Sequence, residues 1–104
     1  NSLSRVEKGL RNITQNSTAL LTENNGIECM KFLMMEFDIT MRQIHSYFDD
    51  RTIIEAIQDI INHSEETKTK IETSRNHEEI FDDLNILSSL FGKLNRLIPQ
   101  GNPN

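Results

Sequence analysis

Apolar residues recur at alternating steps of three and four positions along most of the chain, a spacing that predicts amphipathic helices. Four helices are predicted, over about 3–22, 27–48, 52–73 and 77–97. Their apolar stripes consist of Leu3, Val6, Leu10, Ile13, Ser17 and Leu20; Ile27, Met30, Met34, Phe37, Met41, Ile44 and Phe48; Ile53, Ile54, Ile57, Ile60 and Ile61; and Ile80, Leu84, Leu87, Phe91, Leu94 and Ile98. The pattern predicts an all-α fold, either an up-down antiparallel four-helix bundle or two αα-hairpins that assemble across chains.

Turn and capping residues mark where these helices begin and end. Gly26 follows the last apolar residue of helix 1 and is predicted to adopt the left-handed conformation that terminates helices. Thr52 with Glu55 and Asn76 with Glu79 have the spacing of N-terminal capping residues, and Pro99 stops the last helix. We therefore expect one helical-bundle domain over 1–98, followed by a disordered tail over 99–104.

The stretch HSEETKTKIETSRNHEE is the least apolar part of the predicted domain, and Ile71 is its only aliphatic residue. The heptad of helix 3 would continue into it through Ser64, Thr67 and Ile71. Its composition is also typical of a solvated linker. Two interpretations of 65–76 follow, a solvated extension of helix 3 and a mobile connection between helices 3 and 4.

Helix 2 has a second apolar face. In CMKFLMMEFDI, which spans 29–39, eight of eleven residues are apolar. We expect Leu33 and Tyr47 to widen the first apolar stripe of helix 2. The opposite side of the helix carries a second set of apolar residues, namely Cys29, Phe32, Met35 and Ile39. Either helix 2 is central and helix 4 covers this face, or the face stays open and binds a partner. These four residues are our candidates for partner binding.

Charge and cysteine content narrow the possible partners and the compartment. Eleven basic and sixteen acidic residues give a formal charge of −5, which repels phosphate backbones, so we expect no nucleic-acid partner. No run approaches eighteen consecutive apolar residues, so we expect no membrane span. The single Cys29 excludes an internal disulfide and favours an intracellular, cytoplasmic or nuclear, protein.

The sequence shows no pattern typical of catalysis, cofactor binding or metal ligation. Its three histidines, His45, His63 and His77, have no His or Cys at helical ligand spacing, and the four glycines form no phosphate-binding motif. Paired carboxylates are adjacent in sequence and so point apart on a helix. We therefore predict a non-enzymatic interaction and assembly module that forms a homodimer or docks a partner helix or peptide through helix 2.

Two alternative functions stay open at this stage. The sequons at Asn12, Asn16 and Asn62 would suit a secreted four-helix signalling ligand. The helix that starts at Cys29 and the closing segment SLFGKLNRLIPQG resemble, at scattered positions only and with different connection lengths, the helical integrase-binding domain of chromatin-tethering transcription coactivators. That resemblance implies a peptide-docking adaptor domain whose binding edge lies near 24–27 and 48–51.

Overall fold

The computed structural model describes residues 2–23, 25–73 and 76–98, with the backbone alone for 2–4 and Thr18. These residues form five helices: α1 Ser2–Gln15, α2 Ser17–Thr22, α3 Gly26–His45, α4 Arg51–Thr73 and α5 His77–Leu97. No strand occurs in the described ranges, so the all-α prediction is confirmed. The predicted tail over 99–104 and the side chain of Leu3 lie outside what the structure describes.

The predicted first helix is two helices, α1 and α2, which separate at Asn16. The backbone bonds from Asn16 N to Asn12 O and from Leu20 N to Asn16 O persist through the break. The Asn16 side-chain amide also donates to Asn12 O at 2.9 Å. Asparagine destabilises helix interiors through this kind of local side-chain bond to the backbone, which is a physical reason for an interruption that apolar spacing does not reveal.

Gly26 has a different role from the predicted one. It is the first residue of α3, and its φ lies outside the left-handed region. It is buried against α2, where a Cβ at position 26 would overlap the carbonyl of Leu20 and lie 2.8 Å from the Leu20 Cα. Glycine is therefore required here because the α2 and α3 backbones approach closely, and the left-handed interpretation is wrong.

The N-cap residue of α4 also differs from the prediction, whereas the N-cap residue of α5 is the predicted one. Helix α4 begins at Arg51, and the Asp50 carboxylate accepts hydrogen bonds from Thr52 N at 2.8 Å and from Ile53 N at 3.3 Å. Asp50 therefore caps the helix in place of Thr52, and its negative charge also suits the positive helix N-terminus. Asn76 caps α5 as predicted, by accepting from Glu79 N at 3.1 Å.

Residues 65–73 belong to α4 and pack against the rest of the molecule. Ser64, Thr67 and Ile71 are fully buried, and they continue the heptad of the preceding turns. The predicted extension of the helix is therefore confirmed over 65–73, although its inner face is packed and only its outer face is solvated, and the mobile connection is wrong for this range. Residues 74 and 75 lie outside the described residues. The small hydroxyl side chains fit between helices because each bonds to its own helix, Ser64 Oγ to Ile61 O and Thr67 Oγ1 to His63 O.

The helices pack into an elongated molecule of 41 × 21 × 19 Å. Helix α4 lies beside α3 and α5, and the α1–α2 pair lies beside the same two helices from the other side of the core. Helices α3 and α5 face each other across that core, where the rings of Phe37 and Phe91 approach to 6.3 Å between centroids. Its largest fully buried side chains are Phe91, Met30, Met34, Met41, Ile57, Ile60, Ile71, Ile80, Leu84, Leu87 and Leu94.

Candidate interaction surface

The outward side of α3 carries an apolar stripe on the molecular surface. Phe32 is 55% exposed, Met35 46% and Ile39 45%, and Cys29 is exposed at the start of the same helix. At 3.6 residues per turn, the first three side chains lie within about 60° of one another and directly opposite the buried face, whereas Cys29 lies roughly 60° to one side of Phe32. We call Phe32, Met35 and Ile39 the α3 outer stripe.

The interpretation in which helix 4 covers this face is wrong. Helix α5, the fourth predicted helix, lies across the core from α3, while α4 and the α1–α2 pair occupy the two flanks of α3. The outward side of α3 therefore has no helix against it among the described residues. The predicted widening of the buried face by Tyr47 is wrong, because α3 ends at His45 and Tyr47 is 75% exposed.

Early termination of α3 has a local cause. The Ser46 hydroxyl donates to Gln43 O at 2.7 Å, and the backbone amides of Ser46 and Tyr47 donate to Gln43 O and Ile44 O. These shorter-range bonds satisfy the last carbonyls and close the helix three residues before its predicted end. As a result the Tyr47 ring leaves the helical register and points away from the core, and half-buried Phe48 alone continues the inward pattern.

Charged residues border the α3 outer stripe. Glu28 and Lys31 approach to 3.6 Å, whereas exposed Glu36 has no ion pair among the described residues. Three side chains of this size that are about half exposed leave on the order of 300 Å² of apolar surface, within the range of the largest patch on an ordinary monomer. An apolar stripe with a polar rim resembles protein interfaces, which have an apolar centre and a polar, hydrated edge.

A polar network joins α3 to α4 beside the stripe. The Arg42 guanidinium donates to Asp38 Oδ2 at 3.0 Å and to Glu65 Oε1 at 3.3 Å, and the buried Ser64 hydroxyl lies 3.5 Å from Asp38 Oδ1. The hydrogen bond with the nearly buried Asp38 carboxylate is the main cause that raises the pKa of Arg42. Arg42 is thus occupied by its own chain and holds α3 in register with α4.

A second polar cluster lies between α4 and α5. Lys70 Nζ is 2.8 Å from the buried Asp83 Oδ2 and 3.3 Å from Glu79 Oε1, and the contact with Asp83 raises the pKa of Lys70 against partial desolvation. His63 lies at the edge, with Nδ1 3.4 Å from Glu66 and Nε2 3.8 Å from Asp83. Sequence periodicity gave no sign of this cluster, because Asp83 stands next to the core position Leu84.

A cavity of about 360 Å³ lies between α1 and α5 and is lined by both polar and apolar side chains, among them Leu10, Gln15, Asn85 and Phe91. No three His, Cys, Asp or Glu side chains of the described ranges are placed to hold a metal ion together. Among the same residues, no helix is long and apolar enough to cross a bilayer.

The docking edge implied by the integrase-binding resemblance is not assembled. The connection before α3 and the connection after it lie at opposite ends of this 20-residue helix, about 30 Å apart. Within those edges Gly26 is buried, Ile27 and Phe48 are half-buried against the core, and Asn24 lies outside the described residues. No protein-family model matches the chain, and neither the curated proteins nor the solved structures compared with it include a match.

Proposed function

We propose that this chain is a non-catalytic interaction and assembly module. Its helices would form an up-down antiparallel four-helix bundle in which α1 and α2 are the two halves of the first arm. The α3 outer stripe would either pair with a second copy or receive one apolar face of a partner helix or peptide. The observation that supports this function is the exposure of Phe32, Met35 and Ile39 on a helix whose opposite side is fully packed.

The spacing of the stripe suits a helical ligand. Phe32 and Ile39 are seven residues apart, which is about 11 Å along the helix, and Met35 lies between them. A partner helix would contact such a surface through its side chains at positions i, i+3, i+4 and i+7. Methionine at the centre adds a flexible side chain that adapts to different shapes.

The expected affinity is modest. Stable interfaces bury about 800 Å² on each partner, whereas the three stripe residues supply on the order of 300 Å². The rest of the contact would have to come from the rim, where Glu28 and Glu36 favour a partner with basic residues beside its apolar positions. In a second copy, Lys31 and Arg42 of α3 already pair with acidic residues of their own chain, so they add little to this attraction.

The test replaces Phe32 and Met35 together with Ser and compares the molar mass of the variant with that of the wild type by light scattering over a dilution series. If the stripe forms an interface, the wild type associates at high concentration, and the variant keeps its far-ultraviolet circular dichroism and melting temperature but stays monomeric. The matched control replaces Phe81 and Ile86, two half-exposed apolar residues on α5, with Ser. Equal loss of association in both double variants would contradict a role for the α3 outer stripe. A wild-type protein that is monomeric at every concentration and binds no partner helix would contradict it too.

A further inference from the structure

The α3 outer stripe lies between two flanks of α3, and the flank away from α4 carries an unpaired carboxylate. Arg42 marks the flank toward α4, because its guanidinium donates to Glu65 of that helix. Glu36 lies about 120° around α3 from Arg42, with Met35 between them on the circumference. Glu36 is exposed and has no ion pair among the described residues. It therefore leaves one uncompensated negative charge beside the centre of the stripe.

Glu72 supplies a second carboxylate, on the flank toward α4. Helices α3 and α4 are joined by residues 46–50, too few to cross the length of either helix, so the two run antiparallel. Two helical turns from the Arg42–Glu65 contact, taken in opposite directions along the chain, lead to Met35 on α3 and Glu72 on α4. Glu72 is exposed and, within the described ranges, makes no ion pair. It lies on the same side of α4 as Glu65, within about one turn of the centre of the stripe.

The cations near the stripe are already paired with carboxylates of their own chain. Arg42 and Lys68 face Asp38 and Glu65, so this network has two positive and two negative charges. The remaining charged residues beside the stripe are Lys31, Glu28, Glu36 and Glu72. They supply one positive and three negative charges, a formal charge of −2. The lysine is 3.6 Å from one of the three glutamates, so it is not free to compensate a carboxylate of another molecule.

A second copy at the stripe would bring these carboxylates together. In a symmetric dimer the same surface faces itself, and Glu36 and Glu72 lie near the centre of that surface on opposite flanks. In an antiparallel pairing of the two α3 helices each glutamate meets its own counterpart, and in a parallel pairing Glu36 of one copy meets Glu72 of the other. Like charges therefore oppose self-association in either orientation. A helix with Lys or Arg on both sides of its apolar positions is attracted in either orientation.

We propose that the α3 outer stripe binds a basic amphipathic helix of another protein, and not a second copy, with cations of that helix meeting Glu36 and Glu72 on either side of the apolar contact. This inference rests on the proposed function, because it names the partner of the same surface. The formal charge of −5 on the whole chain adds a long-range attraction for a cationic helix. Self-association through the stripe is then expected only at high ionic strength, which screens the facing carboxylates.

The experiment uses the full chain and two fluorescein-labelled synthetic peptides of about 18 residues, long enough to form a helix. Both peptides carry Leu at positions i, i+3, i+4 and i+7; one has Lys on the two flanks of these positions and the other has Glu. Fluorescence anisotropy measures binding at about 0.05 M and about 0.5 M salt. We expect the lysine peptide to bind at least about tenfold more tightly than the glutamate peptide at low salt, and the difference to shrink at high salt.

Three double variants locate the contact. Phe32→Ser with Met35→Ser should abolish binding of the lysine peptide. Glu36→Gln with Glu72→Gln should weaken it about fivefold, the effect of losing two exposed ion pairs. The matched control, Glu55→Gln with Asp59→Asn, removes two other exposed carboxylates and causes the same change in net charge, so it should alter binding less than about twofold. Far-ultraviolet circular dichroism checks that every variant is folded.

The outcomes separate this inference from the proposed function. If both peptides bind equally well and both require Phe32 and Met35, the stripe is an interface but its partner is not selected by basic charge, and the inference is overturned. Equal weakening by the Glu36/Glu72 variant and by its control would overturn it as well, and so would a wild-type protein that dimerises through the stripe at low salt. Absence of binding by either peptide overturns the inference, and together with a monomeric wild type it overturns the proposed function too.

Discussion

Replacing Ile71 with Ala tests whether the polar stretch 65–73 is a packed part of the fold. Ile71 is fully buried on the inner face of α4, although its neighbours in sequence are Lys70 and Glu72. The substitution removes three carbon atoms, which at about 0.8 kcal/mol each gives a transfer loss of about 2.4 kcal/mol. The cavity left behind adds to this loss, so we expect the free energy of unfolding to fall by about 3–4 kcal/mol.

Ile39→Ala provides a control with the same change of side chain. Ile39 is 45% exposed on α3, so its truncation leaves no closed cavity, and the better helix propensity of Ala offsets part of the lost contact. We expect a loss below about 1 kcal/mol. Urea denaturation followed by circular dichroism measures both variants, with equal slopes against urea as the criterion for comparing them. If Ile71→Ala costs no more than Ile39→Ala, the segment is not packed as described and the reasoning fails.

Three further outcomes are expected. Gly9→Ala should raise the free energy of unfolding by about 0.5–1 kcal/mol in the same urea assay, since the site is open and Ala favours helices; a loss would contradict the open space. Because Asp50 caps α4, Asp50→Ala should lower the free energy of unfolding by about 1 kcal/mol and Thr52→Ala by less than about 0.5 kcal/mol. A larger loss for Thr52→Ala than for Asp50→Ala would identify Thr52 as the cap instead. Because the folded-state pKa of Lys70 is raised above 10.5, its contribution to stability is complete below pH 10.5 and is lost as the pH rises through the folded-state value. Urea midpoints measured across alkaline pH should decline less steeply for Lys70→Met than for Lys68→Met, and equal declines would contradict this assignment.

Helix existence was largely predictable because the core positions obey one local rule. Met30, Met34, Phe37 and Met41 recur at steps of three and four, and all are buried on one side of α3. The same rule placed Leu84, Leu87 and Phe91 in the core of α5. The same spacing, continued through Ser64 and Thr67, also predicts that Ile71 faces the core, although the polar composition of this segment is typical of a linker.

Boundaries were less predictable where side chains compete for backbone groups. Asn16, Ser46 and Asp50 each bond to nearby backbone, and these bonds divide the first helix, end α3 and start α4. Several residues near each boundary could have made such bonds. Which of them does so depends on backbone angles that the apolar spacing leaves open.

The sequence by itself determined which faces of the helices are apolar, including both faces of α3, because periodicity depends only on the chain's own geometry. The tertiary structure alone decided which of those faces is covered. It put α5 across the core and left Phe32, Met35 and Ile39 open, and it brought Gly26 against Leu20 and Lys70 against Asp83. Contacts of this kind join residues on different helices, and they follow from how whole helices pack, which no local repeat specifies.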